Sequence, residues 1–118
     1  MVRREKNVQE GQQRSVRRCP IDASAEVTEL SSGTLLSGRT SEIGLGGCYV
    51  DSLNPFPEGT HVKLKILRDQ GVFETKARVA YCDARFGMGL AFTDMTRDQL
   101  SVLEAWLTEI VSQLRPVS

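Results

Sequence analysis

Two short motifs hold the residues of this chain best suited to gripping a ligand. The first is Arg14-Ser15-Val16-Arg17-Arg18. On an extended segment Arg14 and Arg18 stand about 13 Å apart with their side chains on one face, while Arg17 points the other way. A guanidinium fork binds phosphate in bidentate fashion, fits the O6 and N7 edge of guanine, and stacks on a base. The second motif is Glu42-Ile43-Gly44-Leu45-Gly46-Gly47. Glu42 offers a carboxylate to the N1 and N2 groups of a guanine. Three glycines in four residues call for a bulge or a positive φ, with little side-chain bulk. Arms and carboxylate together suit a small anionic ligand with purine edges.

Catalytic chemistry finds less support. His61 is the only histidine, and it stands in an alternating strand pattern where a solvent-facing or edge role is the usual one. There is no P-loop, no HExxH and no GxSxxG pattern, and no evident carboxylate pair, so no enzyme is expected. Cys19, Cys48 and Cys82 are an odd number, far apart and without a CxxC, which argues against a disulfide framework and against zinc. Buried or half-buried free thiols are expected, and no metal or cofactor.

The formal net charge is zero but unevenly spread. Residues 1–18 carry six basic against two acidic side chains, a net +4, which leaves −4 for the remainder. Such an arm points towards an anionic partner. No apolar run approaches ~18 residues, so no membrane insertion is expected. The basic N-terminus leads into polar residues rather than an apolar stretch, so the cytoplasm is the expected location.

The elements that must position these motifs are mostly strands. Residues 1–18 lack any period and are expected to be a flexible basic arm. From Ile21 to Thr28 apolar and polar residues alternate with a period of two. Ser31-Ser32-Gly33 reads as a turn and Thr34–Ile43 as a second strand, broken by Gly46-Gly47 and resumed by Cys48-Tyr49-Val50. Two prolines make residues 54–59 a loop. His61–Leu67 and Val72–Tyr81 read as strands joined by a hairpin turn at Arg68–Gly71. Phe86–Phe92 is the last strand, and Gly87 and Gly89 predict a bend or a close backbone approach. The period then changes. Thr96 and Gln99 form a capping box, and Leu100, Leu103, Trp106, Leu107, Ile110, Val111 and Leu114 recur at helical spacing up to Pro116. That stripe is expected to lie as a lid over the sheet, a homodimer seam being the alternative. Short antiparallel strands in 118 residues favour a small closed barrel or a curled sheet.

In this order and spacing the residues resemble the PilZ domain family. Arg14 to Arg18 match its RxxxR motif, followed by Cys19-Pro20-Ile21-Asp22 as the passage into the first strand. Glu42 to Gly47 align with its [D/N]xSxxG motif. Gly87 to Phe92 resemble the family's last strand, and Thr96 onward its terminal helix. The resemblance implies a six-stranded antiparallel β-barrel with a C-terminal α-helix over residues 19–118, preceded by the flexible arm of residues 1–18. It also implies a bacterial receptor for the second messenger cyclic di-GMP. By that likeness Arg14 and Arg18 contact phosphates and guanines, Arg17 assists, and Glu42, Gly44 and Gly47 supply the second half of the site.

The chain departs from the pattern at Glu42, where the family has Asp or Asn, and at Gly44, where it has Ser. A lost neutral hydrogen bond costs ~0.5–1.5 kcal/mol, while each charge-assisted arginine contact contributes ~1.5–3 kcal/mol. Weakened rather than abolished binding is therefore expected. Two other roles compete. One is a PilZ-like adapter that does not bind cyclic di-GMP and docks a motility or secretion protein through its barrel or its Leu103/Trp106/Ile110 face. The other is a nucleic-acid binder, ranked lower because Tyr49, Phe73, Tyr81, Phe86 and Phe92 look scattered and lack interleaved basic residues; no DNA or RNA partner is expected.

Overall fold

The structure is a computed structural model and describes residues 18–114. Its strands are β1 (Cys19–Glu29), β2 (Leu35–Ile43), β3 (Gly47–Asp51), β4 (His61–Arg68), β5 (Gly71–Asp83) and β6 (Gly87–Thr93), followed by the helix α1 (Arg97–Leu114). All pairings are antiparallel, and the sheet closes in the order β1-β2-β3-β6-β5-β4, with β4 pairing back onto β1. Closure gives every strand of the described residues a neighbour on each side over much of its length.

The period-two patterns become the barrel interior. Ala23, Ala25 and Val27 of β1, Val62, Leu64 and Ile66 of β4, and Phe73, Ala77 and Val79 of β5 are all buried. Met88 and Leu90 of β6, Cys48 and Val50 of β3, and Thr40 and Ile43 of β2 join that lining. Each fully buried aliphatic or aromatic side chain of this kind contributes ~1.5–3 kcal/mol relative to exposure. His61 is exposed, as its place in the alternation implies.

β2 and β3 are partners, not one interrupted strand. The chain reverses over Gly44–Gly46, and the Gly44 N–H donates to the Gly47 carbonyl at 2.9 Å. Nor do these glycines take a positive φ; among the described residues the glycines that do are Gly33 and Gly59. Gly47 is required instead by contact, because a Cβ there would collide with the Leu90 carbonyl oxygen of β6.

The bulge expected near the glycines lies just before them. β2 holds one extra residue, Ser41, between the pairs Thr40–Val50 and Glu42–Tyr49, and β1 shifts register opposite it, between Pro20 and Ala23. The buried Thr40 hydroxyl donates to the Tyr49 carbonyl at 2.8 Å, with the Glu42 carbonyl 3.3 Å away, and so serves backbone oxygens that the broken ladder leaves there. Because of the extra residue, Thr40 faces inward and Glu42, two positions on, is exposed. A further register shift on β5, between Val79 and Tyr81, has the same effect: Val79 is buried and Tyr81 is exposed.

The helix is a lid. Leu103, Trp106 and Ile110 are buried against the barrel, so they offer no docking face to a partner. Trp106 packs on Phe73, ring centres 6.2 Å apart, and against Gly71, where a Cβ would stand 3.2 Å from the indole. Arg68 of β4 stands over the same indole at 5.7 Å and pairs with Glu109 at 2.6 Å. At the other end of the helix the Thr96 hydroxyl accepts from the Gln99 N–H at 3.2 Å. Only that half of the capping box forms, because the Gln99 side-chain oxygen accepts from the Glu74 N–H of β5 at 2.7 Å. The helix C-terminal end meets the start of β1 across a groove of about 480 Å³, lined in part by Pro20, Asp22, Ile110 and Leu114.

Candidate functional site

Arg18 immediately precedes β1, and Glu42 lies near the end of β2, paired with Pro20 of β1. The register thus brings together two residues 24 positions apart in sequence. The Arg18 guanidinium donates to a Glu42 carboxylate oxygen at 3.4 Å, with 38% of the arginine side chain and 55% of the glutamate side chain exposed. The pair is weak enough to open and stays in reach of solvent, since exposed pairs contribute ~0.2–1 kcal/mol. The Gly44–Gly47 turn follows directly, with Gly44 and Gly47 buried and Leu45 and Gly46 outside. Arg14 and Arg17 lie outside the described residues, so half of the RxxxR motif has no position here.

Continuing around the barrel from Glu42, the register gives Tyr49 on β3, Gly89 on β6 and Tyr81 on β5. The two tyrosine rings are neighbours on the outer wall, centres 6.2 Å apart and tilted by 32°. The Tyr49 hydroxyl donates to Asp83 at 2.9 Å. Its packing against the wall, then that bond and the nearby carboxylates, push the phenol up to about 12. The two tyrosines are therefore not scattered. Phe73, Phe92 and Trp106 form a separate aromatic cluster in the core.

Behind the wall lies Cys48, fully buried. Burial raises its thiol to about 12, against smaller opposing effects of the Thr40 hydroxyl and the Arg18 charge. Such a thiol is not a nucleophile at neutral pH. Cys19 is also buried, but Cys82 is exposed, contrary to the expectation of three covered thiols. It lies beyond the β5 bulge at the end of the strand, where Tyr81, Cys82 and Asp83 are all exposed.

Tyr49 and Tyr81 are the residues that sequence reasoning missed. Val72–Tyr81 alternates without a break, which by parity sends Tyr81 inward with Val79. The one signal was the pair Gly87 and Gly89, read as a close approach: a Cβ on Gly89 would collide with the Tyr81 ring, and one on Gly87 would stand 2.7 Å from the Tyr49 hydroxyl.

The arrangement offers a cation, a carboxylate and two aromatic rings along one outer surface. Comparison with known proteins gives it a context. The family model described as PilZ domain matches residues 12–109. The PilZ domain of YcgR from Escherichia coli, solved with c-di-GMP, superposes with a TM-score of 0.71 at 17% identity, covering 88% of this chain and 95% of that one. The PilZ domain of CeSA from a cellulose-synthesizing bacterium gives 0.61 at 17% identity, covering 84% and 99%. The inhibitor of motility MotI/DgrA from Bacillus subtilis gives 0.69 at 20% identity, and there the chain covers 88% of its own length but 53% of the other's. No curated protein matches.

Proposed function

The chain belongs to the PilZ domain family, and from that membership we propose that it is a cytoplasmic, non-catalytic receptor for cyclic di-GMP in bacterial second-messenger signalling. One observation carries the reading: Arg18 and Glu42, from the two motifs, meet at 3.4 Å beside the Gly44–Gly47 turn. In this reading the ligand displaces that ion pair. Arg18, with Arg14 and Arg17, takes up phosphate oxygens and guanine edges. Glu42, released, accepts from guanine N1 and N2. Gly47 keeps the wall low, since any side chain there would meet β6. The bound ligand then changes the surface shown to a downstream protein. Several charge-assisted contacts at ~1.5–3 kcal/mol each outweigh the opening of one exposed ion pair.

Calorimetric titration of the full chain with cyclic di-GMP tests this. Binding in the micromolar range or tighter is expected, and an Arg14→Ala/Arg18→Ala variant should lose it. Absence of heat with wild-type protein at tens of micromolar ligand, confirmed by equilibrium dialysis, would reject the receptor role.

The ligand-independent adapter is the second reading. It is favoured by the two departures from the motif, since Gly44 brings no hydroxyl and Glu42 already engages Arg18. Of the two docking surfaces expected for it, the barrel wall is the one left, because the Leu103/Trp106/Ile110 face is buried. Recovery of one and the same partner from lysate with and without nucleotide would favour it.

A further inference from the structure

We infer that Tyr81, backed by Tyr49, is a stacking platform for one guanine of the bound dinucleotide. This rests on the cyclic di-GMP reading and deepens it by assigning a further binding residue. Three independent features place Tyr81 on the outer wall. First, Phe73, Thr75, Ala77 and Val79 of β5 all face inward, and Tyr81 would follow them; the register shift between Val79 and Tyr81 turns it out. A shift of this kind gives up regular ladder pairing at that point, and bulges are common beside sites where a side chain is re-aimed. Second, Gly89 is opposite Tyr81, and three ring atoms of the tyrosine stand within 3 Å of where a Cβ would be. The ring therefore rests on bare backbone, and no larger residue at position 89 leaves it there. Third, its neighbour Tyr49 is itself held, by its bond to Asp83 and by the glycine at position 87.

What results is an ordered aromatic surface that stays open: Tyr81 is 43% exposed. A large ring that the fold turns outward and supports from below suits a flat partner with its own π-face. The position fits the ligand. Counting Glu42, Tyr49, Gly89 and Tyr81 across successive strands gives three steps of about 4.8 Å, or roughly 14 Å. A dinucleotide whose phosphates and one base edge meet Arg18 and Glu42 can lay its other base on Tyr81. Stacking is indifferent to base identity, so Tyr81 contributes affinity, while Arg18 and Glu42 read the guanine.

The test compares Tyr81→Leu with Tyr81→Phe in full-length protein, titrated with cyclic di-GMP by calorimetry and followed by NMR at the guanine H8 proton. Tyr81→Phe should bind like wild type and keep the upfield ring-current shift of one H8 signal. Tyr81→Leu should bind about five- to hundredfold more weakly and lose that shift. Wild-type affinity or a persisting shift in Tyr81→Leu overturns the platform while leaving the receptor role intact, provided Arg14→Ala/Arg18→Ala still abolishes binding. No binding by wild-type protein overturns both.

Discussion

Cys48 and Tyr49 are adjacent in β3 and face opposite sides of the barrel wall, yet both resist ionisation. The thiol is raised from 9.0 to about 12 and the phenol from 10.0 to about 12, burial being the leading cause for each. The sign of the linkage follows. In the unfolded chain these protons leave at the lower, ordinary values, so the stability they confer is complete below pH 9 and declines as the pH rises towards 12. The urea midpoint should therefore fall between about pH 8 and about pH 11. A Cys48→Ala variant should show a shallower fall, and an equally steep one would remove Cys48 as the source. In the native state a thiol reagent at neutral pH should modify Cys82 alone, with Cys19 and Cys48 reacting after denaturation.

Among the elements, the helix shows what local pattern can and cannot convey. The stripe of Leu103, Trp106 and Ile110 was legible because a 3.6-residue period depends only on neighbours in sequence, and the lid reading is what the structure has. Truncation of Trp106 to Ala should cost about 3–5 kcal/mol in chemical denaturation, since the indole fills the space between Phe73, Gly71 and Arg68. Gln99→Ala should cost about 1–3 kcal/mol by leaving the Glu74 N–H without its acceptor, whereas Gln99→Glu should cost little. Neither the Gln99–Glu74 bond nor the reversal at Gly44–Gly46 can be read locally, because each depends on which strand lies alongside. The register shifts are the clearest case. Each inserts a residue relative to a partner strand, so Glu42 and Tyr81 change faces without any change in local composition. The motif order pointed to Arg18 and Glu42 together, and the fold sets them 3.4 Å apart, whereas the outward turn of Tyr81 was hidden by a single bulge.

At the scale of the whole molecule, every strand has two neighbours, and the charged and aromatic side chains of the candidate site stand on the outside of that closed wall. The interior is filled by side chains, so a ligand or a partner would have to use the outer surface. The first strand and the last helical turn share the groove lined by Pro20, Asp22, Ile110 and Leu114. Joining Leu114 to Arg18 through a glycine-serine linker and opening the chain at the exposed Ser31–Ser32 turn should give a circular permutant that unfolds cooperatively, with a midpoint close to that of residues 18–114 in their original order. Collapse of the permutant to an uncooperative species would mean that the two sides of the groove are held together only by the original connectivity. The same placement makes this domain a cassette: it can be entered and left at one rim, and so inserted into a host polypeptide without prising the host's flanking segments apart.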